Sequence, residues 1–388
     1  NQTFFISTIE GGRPLRILLF GSQVTTGGAQ RVLLDQASYF TAQGCFVRVV
    51  FYYDKDGAVE SWRASFPFEI DVLSSFHAGK PVQNAMALPK ALIRFRAMIR
   101  DFRPDILETF THDANLVGIL SSAGLGVPVR IATHHGQFAR LKPAVKWLHR
   151  LAVNSPLTSA LVAVSDRARN QALTEGIRAD KIFVIGNGVK PVERDETVRA
   201  AARSALEVNA AEKLILTVGR LVPEKAQENL IAAVQRLSET MPAIRLAIAG
   251  EGPQRDFLSA QITAHGGAAR CELLGNRSDV GSLLNAADVF VLCSRTEGMP
   301  LALMEAMSLG LPVIGTDLEG IRTLLEPDAG VIVPVGDVEA LTAAIGSVLA
   351  DTGGVRAMGE RAAARIASEY SLAVSCGRYA ALFRKFLG

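Results

Sequence analysis

Short runs of apolar, mostly β-branched residues recur along the chain, each followed by a glycine-rich or polar turn. Residues 16–20 (RILLF) do not alternate with polar positions, which predicts a strand buried on both faces. A loop over 21–28 follows. Residues 29–42 then place Val32, Leu33, Ala37 and Phe40 on one helical face, closed by Gly44. Residues 46–52 are the next apolar run. Strand, loop, helix and strand in this order open a parallel sheet. A helix is expected over 87–102, with Leu92, Phe95 and Ile99 on one face and Arg94, Arg96, Arg100 and Arg103 around the polar side. Further strands are expected at 105–107, 129–133, 160–164 and 182–185, and Ser165 suits the cap of a helix over 166–175.

The polar stretch 189–212 breaks the pattern, which then restarts. Strands are expected at 213–218, 244–249, 271–274, 289–292, 313–315 and 330–333. Helices are expected at 229–237, 283–287, 301–309, 337–349 and 355–369. The fold class is therefore α/β, with two Rossmann-like βαβ domains over 1–188 and 189–370. Their carboxyl-end rims are expected to face each other across a cleft.

The length of 388 residues suits two domains, and a charged fraction of 20% is that of a soluble globular protein. Cys45, Cys271, Cys293 and Cys376 are widely spaced, which argues for reduced thiols and against a zinc or disulfide scaffold. No apolar run reaches membrane-spanning length, and residues 1–13 resemble a loose leader without a signal-peptide pattern. The first 190 residues carry 22 Lys and Arg against 14 Asp and Glu, the remainder 19 against 24. A basic first half points to an anionic partner, a phosphorylated acceptor or a membrane surface, although ordinary surface charge accounts for the counts equally. The Arg-bearing helix over 87–102 could lie on an anionic membrane or simply pack within its domain.

The candidate chemistry centres on 288–312. The apolar run 289–292 leads into the turn Ser294-Arg295-Thr296-Glu297-Gly298-Met299, and Pro300 suits the first position of a helix. That helix is apolar nearly all round yet carries Glu305. A stranded buried polar group costs on the order of 1–3 kcal/mol, more if charged, so a hydroxyl-bearing ligand is the simplest partner. Glu297 precedes the helix, whose free N–H groups and dipole favour phosphate or sugar oxygens. Arg220 and Lys225 leave the strand at 213–218 as a planar fork and a point charge, a pair able to hold a diphosphate. Gly28 opens the first helix, where a phosphate can approach the backbone, but GxGxxG is absent, and a plain tight turn is the alternative. His112 and His135 are placed at the carboxyl ends of two strands, where open α/β sheets bind ligands. They read as polar contacts rather than metal ligands. Asp54-Lys55-Asp56 matches a DxD pattern, though two spaced aspartates in a loop are ordinarily just solvated.

GRLVPEK (219–225), GEGP (250–253), LGNRSDV (274–280), SRTEGMPLALMEAM (294–307), TGGAQRV (26–32) and the NGV near 187–189 together resemble glycosyltransferase family 4, the retaining enzymes of the GT-B fold. The resemblance spans nearly the whole chain. Its most specific element is the EX7E spacing of Glu297 and Glu305 combined with Arg220 and Lys225. By resemblance, Arg220 and Lys225 grip the donor diphosphate, and Glu297 orients the donor sugar with the backbone of Gly298, Met299, Pro300 and Leu301. Glu305 binds the ribose, Asn276 and Arg277 read the base, and Gly250 lies in the donor loop. Gly28 approaches the phosphates. His112 is similar to the family's acceptor-side histidine, with His135 a second candidate. The final helix, 371–388, crosses back to the first domain.

The expected reaction transfers a sugar with retention from a UDP- or GDP-sugar to a glycan or lipid-linked acceptor. The leaving phosphate takes the acceptor's proton, so catalysis rests on positioning and charge stabilisation. No metal, cofactor or nucleic acid is expected. The expected location is cytoplasmic, with peripheral contact to the inner membrane face. A nucleotide-sugar epimerase on the same two-domain fold is the alternative, and a non-catalytic sensor a third reading. Two departures touch geometry: Ala226 stands where the family usually has Gly, and Cys293 where Pro is common.

Overall fold

The computed structural model describes residues 12–24, 27–54, 57–75, 81–135, 143–264, 271–351 and 353–388. Thr25, Thr26, Lys55, Asp56, Gly136 and residues 1–11 of the leader lie outside the described residues. Arg13, at the leader's end, is tied down, since its guanidinium donates to both carboxylate oxygens of Asp105.

The chain divides into two compact units, 1–188 with 372–388, and 189–371. In the first, β1 (Arg16–Val24), α1 (Gly28–Ala42) and β2 (Phe46–Asp54) form the expected opening. They are followed by α2 (Val59–Ser65), β3 (Glu69–Ser75), α3 (Pro81–Phe102) and β4 (Ile106–Phe110). Then come α4 (His112–Ser122), β5 (Val129–His134), α5 (Pro143–Asn154), β6 (Ala160–Ala163), α6 (Asp166–Thr174) and β7 (Ile182–Val184). The strands form one seven-stranded sheet in the order β3-β2-β1-β4-β5-β6-β7. All its pairings are parallel.

The second unit opens with α7 (Glu196–Ala205), β8 (Lys213–Val218), α8 (Gln227–Leu237), β9 (Ile244–Ala249), α9 (Arg255–Ala264) and β10 (Cys271–Gly275). It continues through α10 (Val280–Ala286), β11 (Val289–Leu292), α11 (Leu301–Ser308), β12 (Val313–Thr316), α12 (Glu319–Leu325) and β13 (Val331–Val333). After α13 (Val338–Ala350) and α14 (Gly354–Arg365) comes a π-helical turn, Ile366–Tyr370. Its six-stranded sheet runs β10-β9-β8-β11-β12-β13. The last helix, α15 (Leu372–Leu387), belongs to the first unit. There Phe383 meets Phe40 of α1 with ring centroids 5.5 Å apart, and Ser375 Oγ donates to the Gly186 carbonyl at 2.8 Å.

Helices cover both faces of each sheet, which is why the strands read as unbroken apolar runs. Along β11 the side chains alternate, with Phe290 and Leu292 in one core and Val289 and Val291 in the other. In both units the strand order reverses beside the unit's first strand, at β1/β4 and at β8/β11. Open α/β sheets bind ligands at such a switch point, outside the carboxyl ends of the strands. Among the described residues no helix is long and apolar enough to cross a membrane.

Several local expectations change. Asp54 accepts the N–H groups of Ala58 and Val59 at 3.2 and 3.0 Å, so it caps α2. His112 does stand just past the carboxyl end of β4, and it is also the first residue of a helix, α4, that the sequence reading lacked. Thr111, before it, has φ +80°, a sharp turn that costs on the order of 1–3 kcal/mol. Pro300 is the N-cap of α11 rather than its first helical residue. Ser165 does cap α6, accepting from the Ala168 N–H at 3.2 Å.

Candidate active site

In the second unit the switch point joins two stretches far apart in sequence. β8 ends at Val218 and delivers Gly219, Arg220 and the 3-10 turn Pro223–Lys225. β11, its neighbour, ends at Leu292 and delivers the turn that carries Glu297. Lys225 Nζ donates to Glu297 Oε1 at 2.5 Å, and Ser294 Oγ donates to the same oxygen at 2.7 Å. The carboxylate is mostly covered, with its side chain 10% exposed, while Arg220 projects into solvent.

The turn that holds Lys225 is braced from the Glu297 side. Arg295 donates through Nη1 to the Pro223 carbonyl at 2.5 Å and through Nη2 to Glu228 at 2.6 Å. Its backbone N–H donates to the Glu224 carbonyl at 2.8 Å. The Cys293 thiol donates to the Ala226 carbonyl at 3.2 Å, and burial pushes its pKa up to about 12, so it is a structural donor and not a nucleophile. Ala226 takes a left-handed conformation, φ +51°, the backbone reason for glycine at this position in the family pattern. Thr316 Oγ1 donates to the Ser294 carbonyl at 2.7 Å. Ser294, Arg295 and Thr316 were not singled out as site residues from sequence. The three-residue spacing of Ser294 and Glu297 is the signal that could have found the first.

Glycines let these loops touch backbone to backbone. A Cβ on Gly250 would stand 1.9 Å from the Gly219 carbonyl oxygen, so Gly250 packs the Arg220 loop. A Cβ on Gly320 of α12 would stand 1.6 Å from the Gly298 carbonyl oxygen, a contact sequence reasoning missed. Behind Gly298, Met299 and Pro300 are buried and Leu301 is half-buried. Pro300 supplies no side-chain cap to α11, and the helix N-terminus with its dipole suits an anionic ligand. Glu305, one turn on, is half-buried on the same helix. In the loop after β10, Asn276 is exposed, and Arg277 is held by both oxygens of Asp279 at 2.7 and 2.6 Å.

In the first unit the equivalent point carries Gly28, exposed at the start of α1, and His112, buried at the start of α4. His112 lies in a cluster that includes His149, which sequence reasoning missed, at 4.4 Å between ring centroids, and His134 at 5.8 Å. Burial and mutual repulsion lower the pKa of His112, and burial foremost lowers that of His134 to about 3 and of His149 to about 4. His135 stacks on Phe110 with centroids 5.9 Å apart, its Nε2 is 3.2 Å from Thr133 Oγ1, and burial lowers it to about 4. These are neutral imidazoles at physiological pH.

His112, His149 and Glu175 each offer one ligand atom, all within 4.8 Å of one another. Asn115 decides what that set can do. Its Nδ2 donates to the Thr133 carbonyl at 3.0 Å, which fixes the amide, and lies 3.1 Å from His149 Nε2. His149 Nε2 therefore accepts, and its ring proton is on Nδ1. With that lone pair taken, the cluster suits hydrogen bonding better than a cation.

Two family models match the chain: "Glycosyltransferase Family 4" over residues 26–193 and "Glycosyl transferases group 1" over 198–365. The amylovoran biosynthesis glycosyltransferase AmsK of Erwinia amylovora is 30% identical over 287 residues, 70% of this chain and 67% of that protein. The UDP-Gal:alpha-D-GlcNAc-diphosphoundecaprenol alpha-1,3-galactosyltransferase of Escherichia coli is 29% identical over 276 residues, 68% of this chain and 70% of that protein. Among solved structures, Anabaena Alr3699/HepE in complex with UDP superposes with a TM-score of 0.82 at 21% identity, covering 96% of this chain and all of that one. The two parallel Rossmann-like sheets are those of the GT-B fold. The chain belongs to glycosyltransferase family 4, and it is a glycosyltransferase.

Proposed function

We propose that this glycosyltransferase moves a sugar, with retention of anomeric configuration, from a UDP- or GDP-sugar to a glycan or lipid-linked acceptor of a surface polysaccharide. The observation that carries the reading is the Lys225–Glu297 contact beside the N-terminus of α11, which has no side-chain cap from Pro300. A cation, a carboxylate and a helix N-terminus without a side-chain cap, all at one switch point, suit a diphosphate and the hydroxyls of the sugar on it. The names of the similar proteins support it: UDP is bound in the HepE structure, and the E. coli relative uses UDP-Gal on a diphosphoundecaprenol-linked sugar.

Arg220 and Lys225 would take the diphosphate and offset the charge that develops as the bond from anomeric carbon to phosphate oxygen breaks. That oxygen would take the acceptor hydroxyl's proton on the face of attack, so no carboxylate need become a nucleophile and no metal is required. Glu297 would orient the sugar hydroxyls, Glu305 would bind the ribose, and Asn276 with Arg277 would contact the base. For the first unit the reading assigns Gly28, His112 and His135 to substrate contacts. A neutral His112 offers a hydrogen bond rather than a charge.

Nucleotide release from a panel of UDP-, GDP- and ADP-sugars, with and without a lipid-linked acceptor, tests the reading. Acceptor-dependent release with an unchanged anomeric configuration by NMR supports it. Conversion of the donor to another sugar nucleotide without acceptor would instead establish an epimerase.

A further inference from the structure

Asn115 and His112 stand three residues apart on α4 and so share one face of that helix. His149, on the buried side of α5, meets both. Its Nε2 lies 3.1 Å from Asn115 Nδ2, and its ring centroid lies 4.4 Å from that of His112. His149 thereby links the amide to the imidazole.

The amide has only one way to sit. The backbone of Thr133 brackets it. The carbonyl, which only accepts, is 3.0 Å from Nδ2, and the N–H, which only donates, is 3.4 Å from Oδ1. Thr109 Oγ1 also donates to Oδ1, at 2.7 Å. A flipped amide would meet each backbone group with its own kind. Nδ2 therefore donates to His149, and the neutral His149 ring carries its proton on Nδ1. His112 and Glu175, which follows α6, each bring a polar atom within 4.8 Å of a His149 ring nitrogen.

Packing alone does not ask for this arrangement. Apolar side chains of similar size would fill the space without burying groups that each cost on the order of 1–3 kcal/mol if left unmatched. What the amide and the second imidazole supply is a fixed ring. Lys146, His134 and His135 join His149 in disfavouring a second proton on His112, so that ring stays neutral. A neutral imidazole has one donor and one acceptor, and its two tautomers present them the opposite way round. Only one of the two suits a given hydroxyl.

We propose that Asn115 and His149 are positioning residues for sugar transfer: Thr133 fixes the Asn115 amide, the amide fixes the His149 tautomer, and His149 holds the His112 imidazole in the one tautomer and orientation that meets the substrate. The proposal deepens the function proposed above and rests on it for the role of His112.

The test combines nitrogen NMR of the full chain, labelled at histidine, with turnover of the donor and acceptor selected by the panel above. In the wild type at neutral pH, His149 should appear as the Nδ1–H tautomer and His112 as a single tautomer. His149→Gln keeps an acceptor for Asn115 in its Oε1, whereas His149→Phe keeps a ring against His112 and offers no acceptor. His149→Phe should lower kcat about tenfold to a hundredfold, the scale of a small misplacement near the reacting atoms, and leave His112 as a mixture of tautomers. His149→Gln should recover most of the rate and the single His112 tautomer. UDP or GDP binding by calorimetry should be the same in all three proteins. The proposal is overturned if wild-type His149 is the Nε2–H tautomer, a result that depends on neither variant folding. It is also overturned if His149→Phe turns over like the wild type while His149→Gln does not, because the contact is then packing alone. A wild type that turns over no nucleotide sugar overturns the transferase reading and the positioning role with it, whereas either of the other results with an active wild type overturns this inference alone.

Discussion

Lys225 Nζ and Glu297 Oε1 are 2.5 Å apart although 72 positions separate the residues in sequence. An ammonium held this way is shared between its carboxylate and any phosphate that arrives. Lys225→Ala should lower kcat about 10²–10³-fold, the scale of losing one preorganised charge-stabilising donor. Glu297→Gln should bind UDP or GDP at least as tightly as the wild type, because the ammonium is released, while turnover falls. Calorimetry and turnover on the two variants separate these effects. A Glu297→Gln chain whose nucleotide affinity dropped tenfold would contradict the division of labour proposed here.

Arg295 touches two carbonyls and a carboxylate of the Lys225 turn and the helix after it, so it acts through position. Arg295→Ala should raise the donor KM about fivefold, equivalent to ~1 kcal/mol, with kcat within about twofold. Arg295→Lys, lacking the planar fork, should recover only part of it. Equal losses in kcat for both variants would indicate direct contact with substrate instead.

Gly320→Ala and Gly250→Ala each put a methyl into a backbone carbonyl, at 1.6 and 1.9 Å. Neither neighbour is a movable side-chain tip, so each should cost upwards of about 2 kcal/mol in thermal or denaturant unfolding. Gly377→Ala is the control, since nothing lies within 4 Å of its Cβ position. In the middle of α15 it should stabilise by up to about 1 kcal/mol. Three variants of equal stability would show that the close approaches are not rigid.

Glu108 is fully buried on β4, with Gln36 Nε2 of α1 at 2.6 Å and the Tyr379 hydroxyl of α15 alongside. Burial raises its pKa from 4.5 to about 8. The folded chain keeps this proton where the unfolded chain has lost it, so stability falls as pH rises from about 4.5 to 8. The buried histidines act in the opposite direction. Their lowered pKa values mean stability falls as pH drops below 6.5 towards 4. Between pH 6.5 and 8 the Glu108 effect therefore stands apart from theirs, at up to about 1.4 kcal/mol per pH unit. Glu108→Gln should flatten the melting temperature in that window, and a profile parallel to the wild type would show that Glu108 is ionised in the fold.

The strands of 213–218, 244–249 and 289–292 were legible because each is buried on both faces and so reads as an unbroken apolar run. β3, at the sheet edge with acidic Glu69 and Asp71 in its span, lacks that pattern and was missed. α4 was missed for a different reason. It is buried around much of its surface and has no clear apolar stripe, and the turn into it depends on the left-handed Thr111. The site motifs were legible one at a time, as local spacings around Arg220, Lys225, Glu297 and Glu305.

The sequence by itself determined the α/β class, the two successive sheets and the chemical types offered at their loop ends, because these depend on local periodicity and on residue chemistry. Tertiary structure alone decided which loops meet: β8 beside β11 brings Lys225 to Glu297, Arg295 to Glu228, and α12 to the Gly298 carbonyl. It also decided that Phe95 and Ile99 of α3 are buried while Trp147, Leu148 and Leu151 of α5 are exposed. Strand order and helix packing are set by the burial of the whole core, and no window of neighbouring residues contains that information.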